Sequence, residues 1–384
     1  MNAPATPVCV RLTPAGEGGI HTVGVFGPGA CETVRPLFRH RRRVPNALRP
    51  GKLYYGGLYR GAEMVDEVIL AVPHPRHGLT GEETVEIHCH GGVAASRAVM
   101  AALREAGVEP VDAEGPIARG VASGGLDPIR AEALRELPRV ATRRGLRMLE
   151  LALAGRLSER IDRARGLPDG DARRAAVERL IADARAGLAL VRPMRVVLVG
   201  APNAGKSSLM NRLVAFERAI VSEVAGTTVE RLAHPIAIDG FPLELSDTGG
   251  VMTKEQTGAD PIHRQAAEVA LEAARHADLV LAVVDPTAED LTPQLELVTR
   301  LQRTLKTAPP VVVHNKSDLA APHDTFPEAL TPEVTTSAIT GEGLDDLRSI
   351  ILTRLIPERP AFDMPVPFTE RQVEELEGLL EGTH

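Results

Sequence analysis

The segment Arg195-Val-Val-Leu-Val-Gly200-Ala-Pro-Asn-Ala-Gly-Lys206-Ser207 constrains this chain more than any other. Its first half is a continuous apolar run, the pattern of a strand covered on both faces in a parallel sheet. In its second half the glycines let backbone N–H groups turn toward a phosphate. Lys206 brings positive charge to β and γ oxygens, and Ser207 offers a hydroxyl to Mg²⁺. Followed by a helix, the segment predicts a phosphate loop in which Asn203, Ala204, Gly205, Lys206, Ser207 and Ser208 bind nucleotide.

A phosphate loop does not choose a base; later segments do. His314-Asn315-Lys316-Ser317-Asp318 ends an apolar strand. A carboxylate at Asp318 accepts hydrogen bonds from the guanine N1–H and 2-amino group, which adenine does not offer, and a polar group left unpaired there is costly. Ser337-Ala338, after the next strand, fits a backbone contact to guanine O6. Asp247-Thr-Gly-Gly250 also follows a strand: Asp247 can hold Mg²⁺ through a water, and the Gly249 or Gly250 N–H can reach a γ-phosphate. Thr228, closing Ala219-Ile-Val-Ser-Glu-Val-Ala-Gly-Thr-Thr228, is placed to ligate Mg²⁺ when GTP is bound. The expected Mg²⁺ set is Ser207, Thr228 and Asp247, and the expected catalytic set is Lys206, Thr228, Asp247 and Gly250. The ligands are GTP and GDP, and the reaction is hydrolysis of the β–γ phosphoanhydride.

After the strand 195–200, strands are expected at 235–239, 243–246, 279–284, 311–314 and 334–336, alternating with helices to about residue 358. That pattern gives an α/β fold, a mostly parallel sheet with helices on both faces. On either side the period is helical. Leu146, Leu149, Leu153, Leu157 and Ile161 form one stripe; Val177, Leu180, Ile181, Ala184 and Leu188 form another beyond Gly166-Leu-Pro-Asp-Gly170. Two antiparallel helices are expected. Thr369-Glu-Arg-Gln372 reads as a capping box opening a last helix that packs back on them. The nucleotide domain, 193–358, is thus inserted in a reduced helical domain, 126–192 plus 362–384. Residues 1–125 read as an α+β domain, with strands at Val65–Val72 and Thr84–His88 and a helix from Ala94 to Ala106. His88-Cys89-His90 alternates on a strand, so one metal ion cannot take all three side chains.

Charge is divided between the halves. Residues 1–192 carry +6 and residues 193–384 carry −13, within a net −7. A basic first half could meet an RNA backbone, and His40-Arg41-Arg42-Arg43 is its densest stretch. Aromatic residues make up 3 % with no tryptophan, which leaves little for stacking single-stranded bases. No apolar run reaches the ~18 residues of a membrane span, and no signal peptide is evident. Three scattered cysteines suggest free thiols in a reducing cytoplasm. Neither DNA nor a membrane is expected as a partner.

In these segments the chain resembles the MnmE/TrmE family of tRNA-modification GTPases. Gly200-Ala-Pro-Asn-Ala-Gly-Lys-Ser-Ser208 and Ala219–Thr228 are similar to its phosphate loop and first switch. Leu12-Thr-Pro-Ala-Gly-Glu-Gly-Gly-Ile20, Thr80-Gly-Glu-Glu-Thr-Val-Glu-Ile-His-Cys-His-Gly-Gly92, Glu114-Gly-Pro-Ile-Ala-Arg119 and Gly125-Leu-Asp127 match its folate-binding domain in order. The resemblance implies a homodimer formed through the N-terminal domain, a tetrahydrofolate derivative bound there, and GTP hydrolysis around K⁺. It also implies a FAD-containing partner that acts with this chain on the wobble uridine of tRNA. It places K⁺ on the side chains of Asn203 and Thr227 and the carbonyls of Ser222 and Val224.

The chain departs from the family pattern in several places. It ends at Glu381-Gly-Thr-His384 without a Cys-x-Gly-Lys motif, and its helical segments are short. Thr228 is followed by Val229-Glu230 rather than Arg-Asp, and the second switch reads Asp-Thr-Gly-Gly. His263 falls where the family has a water-orienting glutamate, so slow turnover is expected. Gln265-Ala-Ala-Glu-Val-Ala-Leu-Glu resembles ribosome-assembly GTPases of the Der/EngA type. The expectation is a diverged family member lacking the C-terminal modification cysteine; the alternative is a GTP-dependent ribosome-assembly or regulatory switch on the same scaffold.

Overall fold

The computed structural model describes residues 6–14, 16, 18–40, 46–75, 78–168, 170–217, 233–247, 271–305, 308–320, 322–323 and 325–381. The chain forms two compact units, Met1–Arg135 and Glu136–His384.

Among the described residues the first unit is built on a sheet of strands β1 (Val8–Arg11), β2 (Ile20–Phe26), β3 (Phe38–His40), β4 (Lys52–Arg60), β5 (Glu63–Val72), β6 (Thr84–His90) and β7 (Glu109–Pro110). Their order is β3-β4-β5-β6-β2-β1-β7, antiparallel except where β7 pairs with β1. Short helix α1 (Ala30–Val34) and helices α2 (Val93–Glu105), α3 (Glu114–Ala122) and α4 (Pro128–Glu136) complete it. Alternation sets the core: Val85, Ile87 and Cys89 of β6 are buried with Val23, Val25, Val68 and Leu70, beneath Val99 and Leu103 of α2. Glu86, His88 and His90 therefore lie on the opposite face. The chain's phase predicts α2 within one residue at each end, and the helical period that begins at residue 129 covers α4 without marking it as a separate helix. It packs with α3 through Ile117, Leu126 and Ala131.

In the second unit, α5 (Arg143–Leu153), α6 (Arg156–Arg165) and α7 (Asp171–Val191) precede the nucleotide sheet. The expected pair of helices is thus corrected to three. The stripe from Leu146 to Ile161 is cut at Gly155, whose φ of +81° is left-handed and ends one helix before the next begins. Leu149, Leu157 and Ile161 remain buried, while Leu146 is exposed. Asp183, wholly buried on α7, accepts from Arg160 Nη2 at 2.5 Å, and Arg160 Nη1 donates to the Pro365 carbonyl at 2.7 Å. This ties the segment before the C-terminal helix (Glu370–Glu381) to α6 and α7, and that helix packs along α7. At its start the Gln372 N–H donates to Thr369 Oγ1 at 3.4 Å, but the Gln372 side chain accepts from Phe368 N at 2.8 Å, one residue earlier than a capping box requires.

The nucleotide sheet runs β13-β12-β11-β8-β10-β9 and contains β8 (Met194–Gly200), β9 (Ala233–Ile238), β10 (Phe241–Asp247), β11 (Leu279–Val284), β12 (Val311–His314) and β13 (Val334–Thr335). Only β9 against β10 is antiparallel. Both faces are covered: Val197 and Val199 are buried with Val298 and Leu301 of the helix Thr292–Thr304, while Val196 and Leu198, on the other face, are buried as well. Helix α8 (Lys206–Glu217) packs on β8, β9 and β10. Arg144 of α5 lies over the Phe241 ring at 4.6 Å and donates to the Pro360 carbonyl at 2.5 Å, fastening the helices to the start of β10.

Candidate guanine-nucleotide site

The functional segments gather where ligands bind in open α/β sheets, at the carboxyl ends of the strands. β8 leads into the phosphate loop, β10 ends at Asp247, β11 runs into Asp285, and β12 into Asn315. Close backbone packing explains the loop's glycine at position 205. Its φ is +87°, and a Cβ there would meet the Asn315 amide at 2.2 Å. Asn203 also adopts a left-handed backbone, φ +63°, which asparagine tolerates better than most residues.

At the phosphate end, Lys206 Nζ donates to the Gly200 and Ala201 carbonyls, both at 3.0 Å. The ammonium is thereby held inside the loop's own curve, where it can meet phosphate oxygens. Burial pushes its pKa below the ordinary lysine value, and the negative charge of Asp247 partly opposes that. The Ser207 hydroxyl donates to Asp247 Oδ2, and Asp247 is buried at the end of β10. A hydroxyl and a carboxylate side by side are hard oxygen donors suited to Mg²⁺ beside a phosphate, so these residues fit the ion. Thr228 and Gly250, and the expected K⁺ positions Ser222, Val224 and Thr227, lie outside the described residues, as does His263.

At the guanine end several polar side chains are bonded to one another. Asn315, 1 % exposed, donates from Nδ2 to the Ala204 carbonyl at 3.1 Å and accepts from the Ala338 N–H at 3.1 Å. It therefore joins the phosphate loop to the base-reading loop. Ser337 Oγ donates to Asp318 Oδ1 at 2.5 Å and itself accepts from Ile339 N and Thr340 N at 3.2 and 3.1 Å. This fixes one carboxylate oxygen of Asp318. Lys316, at φ +70°, pairs with Asp285 at 2.5 Å. Sequence reading did not single out Asp285, nor Thr336, whose hydroxyl lies 3.4 Å from Asn315 Oδ1. The available signal for Asp285 was its place just after a buried strand.

The first unit's glycine- and acid-rich motifs also converge. Glu82 pairs with Arg119 at 3.0 Å, both side chains under 10 % exposed, and Arg119 Nη1 donates to the Thr6 carbonyl at 2.9 Å. Glu83 accepts from the N–H groups of Gly29 and Cys31 at 3.0 and 2.8 Å, holding α1. Asp127 caps α4 by accepting from Ile129 N and Arg130 N. His88 meets Thr22 Oγ1 at 3.0 Å and His90 meets Asp66 at 2.7 Å, while the Cys89 thiol faces inward to the His21 carbonyl at 3.4 Å. All three cysteines are free thiols. Burial pushes Cys9 up to about 11, and burial with the neighbouring Glu83 pushes Cys31 up to about 12. Burial also raises Cys89, so none of the three is an activated thiolate.

Two family models match the chain: "50S ribosome-binding GTPase" over residues 195–316 and "GTP-binding protein TrmE N-terminus" over residues 7–114. The chain is 35 % identical to a tRNA modification GTPase MnmE of Thermus thermophilus, over 98 % of this chain and 88 % of that protein. It is 36 % identical to the protein of that name from another strain of the same species, over 96 % and 87 %. It is also 36 % identical to the one from Parasynechococcus marenigrum, over 92 % and 82 %. None of the described helices is long and apolar enough to cross a membrane. With the family models for a GTPase domain and a TrmE N-terminus in one chain, and MnmE relatives about 35 % identical over nearly all of it, the nucleotide domain is that of a GTP-hydrolysing enzyme, and the chain belongs to the MnmE family of tRNA modification GTPases.

Proposed function

We propose that this protein hydrolyses GTP to drive a tRNA modification, as the names of its relatives describe for them. The observation that carries the reading is the joining of both ends of the nucleotide site through Asn315, in a chain whose first unit carries the TrmE-type motifs. Lys206 neutralises phosphate charge, Ser207 and Asp247 hold Mg²⁺, and Asp318 reads guanine. When bound, Mg²⁺ supplies charge neutralisation between the β- and γ-phosphates. Thr228 and Gly250 complete the catalytic set around the γ-phosphate, and Ser208, Lys316, Ser337 and Ala338 complete the nucleotide contacts.

In the same reading, Asn203, Ser222, Val224 and Thr227 would hold K⁺, which would supply the positive charge that an arginine finger supplies elsewhere, the first unit binds a tetrahydrofolate derivative and forms a homodimer, and a FAD-containing protein is the partner on tRNA in the cytoplasm. The domain plan is 1–125, 126–192 with 362–384, and 193–358. Hydrolysis is expected to be faster in K⁺ than in Na⁺ and to lose that difference in Asn203→Ala; equal rates in the two salts overturn the K⁺ site. The modification reading is tested by expressing the chain in a strain lacking the family enzyme and measuring tRNA nucleosides by mass spectrometry. Return of the modified wobble uridine supports it. No return, from a chain that is folded and hydrolyses GTP, overturns it.

A further inference from the structure

Asp285 closes β11, one strand over from β12, whose carboxyl end carries Asn315 to Asp318. It is held with unusual completeness. Gln294, 4 % exposed on the helix Thr292–Thr304, accepts from the Asp285 N–H at 2.7 Å and donates to the Asp285 carbonyl at 3.0 Å. The Asp285 carboxylate accepts from Thr287 N at 2.9 Å and Thr287 Oγ1 at 2.6 Å through one oxygen, and from Lys316 Nζ at 2.5 Å through the other. Burial alone raises this carboxyl's pKa, but the bonds from Lys316 and Thr287 outweigh it and hold it below the ordinary carboxylate value, so it is an anion at neutral pH.

Lys316 is constrained at both ends. Its backbone is left-handed at φ +70°, and its ammonium is pinned to Asp285 with both side chains more than two-thirds covered. An unpinned lysine samples many rotamers, and a ligand that needs one of them must restrict the rest on binding. Of the neighbours of Lys316 in the loop, Asn315 meets the phosphate loop, and Asp318 is the residue assigned to the base edge under the proposed function. A purine also presents two apolar faces, and lysine methylenes are suited to covering one.

We propose that Asp285 is a positioning residue for the guanine pocket: it holds Lys316 extended, so that the lysine stem forms a fixed wall for the purine, with Gln294 and Thr287 as its frame. This rests on the guanine-nucleotide reading of the site. It accounts for a buried glutamine devoted to one aspartate's backbone, which the chemistry of hydrolysis does not require.

The test is titration calorimetry of the full chain with guanosine, GDP and GTP. The proteins are wild type, Asp285→Asn, Lys316→Met, which keeps the stem and removes the ammonium, and the double variant. Asp285→Asn is expected to weaken all three ligands by the same factor, roughly 5- to 10-fold, the cost of restricting one long side chain. Lys316→Met is expected to match it, and the double variant to be no weaker than either. In steady-state hydrolysis the loss appears in KM rather than kcat. Affinities within twofold of wild type overturn the proposal, as do additive losses or a loss confined to GTP. If Asp285→Asn does not fold, Lys316→Met alone decides by the same equal-factor criterion. A wild-type chain that binds none of the three overturns the guanine reading itself, a separate outcome.

Discussion

The two ends of the nucleotide site are built differently. The guanine end is made of side chains already bonded to one another: Asn315 to Ala204 and Ala338, Ser337 to Asp318, and Lys316 to Asp285. The phosphate end is made of backbone curvature and two opposite charges, with the half-buried Lys206 resting on the carbonyls of its own loop and Ser207 on the buried Asp247. A base is recognised by the direction of its donors and acceptors, so its reader must be rigid before it arrives. A phosphate is recognised by charge and N–H density, which a curved backbone offers without side-chain order. On the proposed reading of the site, the contrast assigns selectivity to one part and binding strength to another, with Asn315 bonded between them.

The largest test of that division is at Asp318. Asp318→Asn exchanges one of two acceptors for a donor and should lower preference for GTP by about 10³-fold or more, with xanthosine triphosphate gaining in its place. Competition binding among GTP, ATP and xanthosine triphosphate measures it. If ATP competes with GTP equally in the unchanged protein, the guanine end is not the selector. Next is Asn315→Ala, which strands the buried Ala204 carbonyl and the Ala338 N–H. At about 1–3 kcal/mol for each unpaired group, it should cost about 2–6 kcal/mol in folding stability, and the two loops it ties should hold nucleotide less well. Because Asn315 joins the ends, guanosine and GTP should weaken together. A loss seen with GTP alone would break the comparison by assigning Asn315 to the phosphate loop only.

Much of this was legible in the chain, for a physical reason. The phosphate loop and the Asn-Lys-Ser-Asp segment each work as one short continuous stretch of chain, so their residues stand together in sequence. The buried strands were legible too, because a parallel sheet covered on both faces writes itself as an unbroken apolar run at Val196–Val199. Asp285 was not legible, since a single aspartate after a strand acquires meaning only from Lys316, 31 positions away. The break at Gly155 was hidden because Leu153 and Leu157 stay four residues apart, so the stripe keeps its phase across the turn. Helix α4 was not set apart from the helical region that begins at residue 129 because its buried residues, Ile129, Ala131 and Ala133, alternate rather than recur at helical spacing.

The smallest expected effect lies in the titration of Lys206, and it separates the two ends by pH. Burial lowers the Lys206 pKa in the free protein. A bound triphosphate places negative charge beside the ammonium and raises it again. Between those two values the complex holds a proton that the free protein has lost, so GTP binding takes up a proton and weakens as pH rises, by at most about tenfold per pH unit. Below the free-protein value the ammonium is present in both states and affinity is flat. Guanosine has no phosphate, so it should not report Lys206. The guanine N1–H also titrates in alkali, but it does so in both ligands, and the ratio of GTP to guanosine affinity removes it. That ratio, followed upward from neutral pH, should begin to fall before the ordinary lysine range is reached. In Lys206→Arg, where the side chain keeps its charge throughout, the ratio should stay flat even if GTP binds more weakly. A ratio that falls equally in wild type and Lys206→Arg would mean that the alkaline loss comes from somewhere other than Lys206, and the phosphate end would then owe its strength to the loop backbone alone.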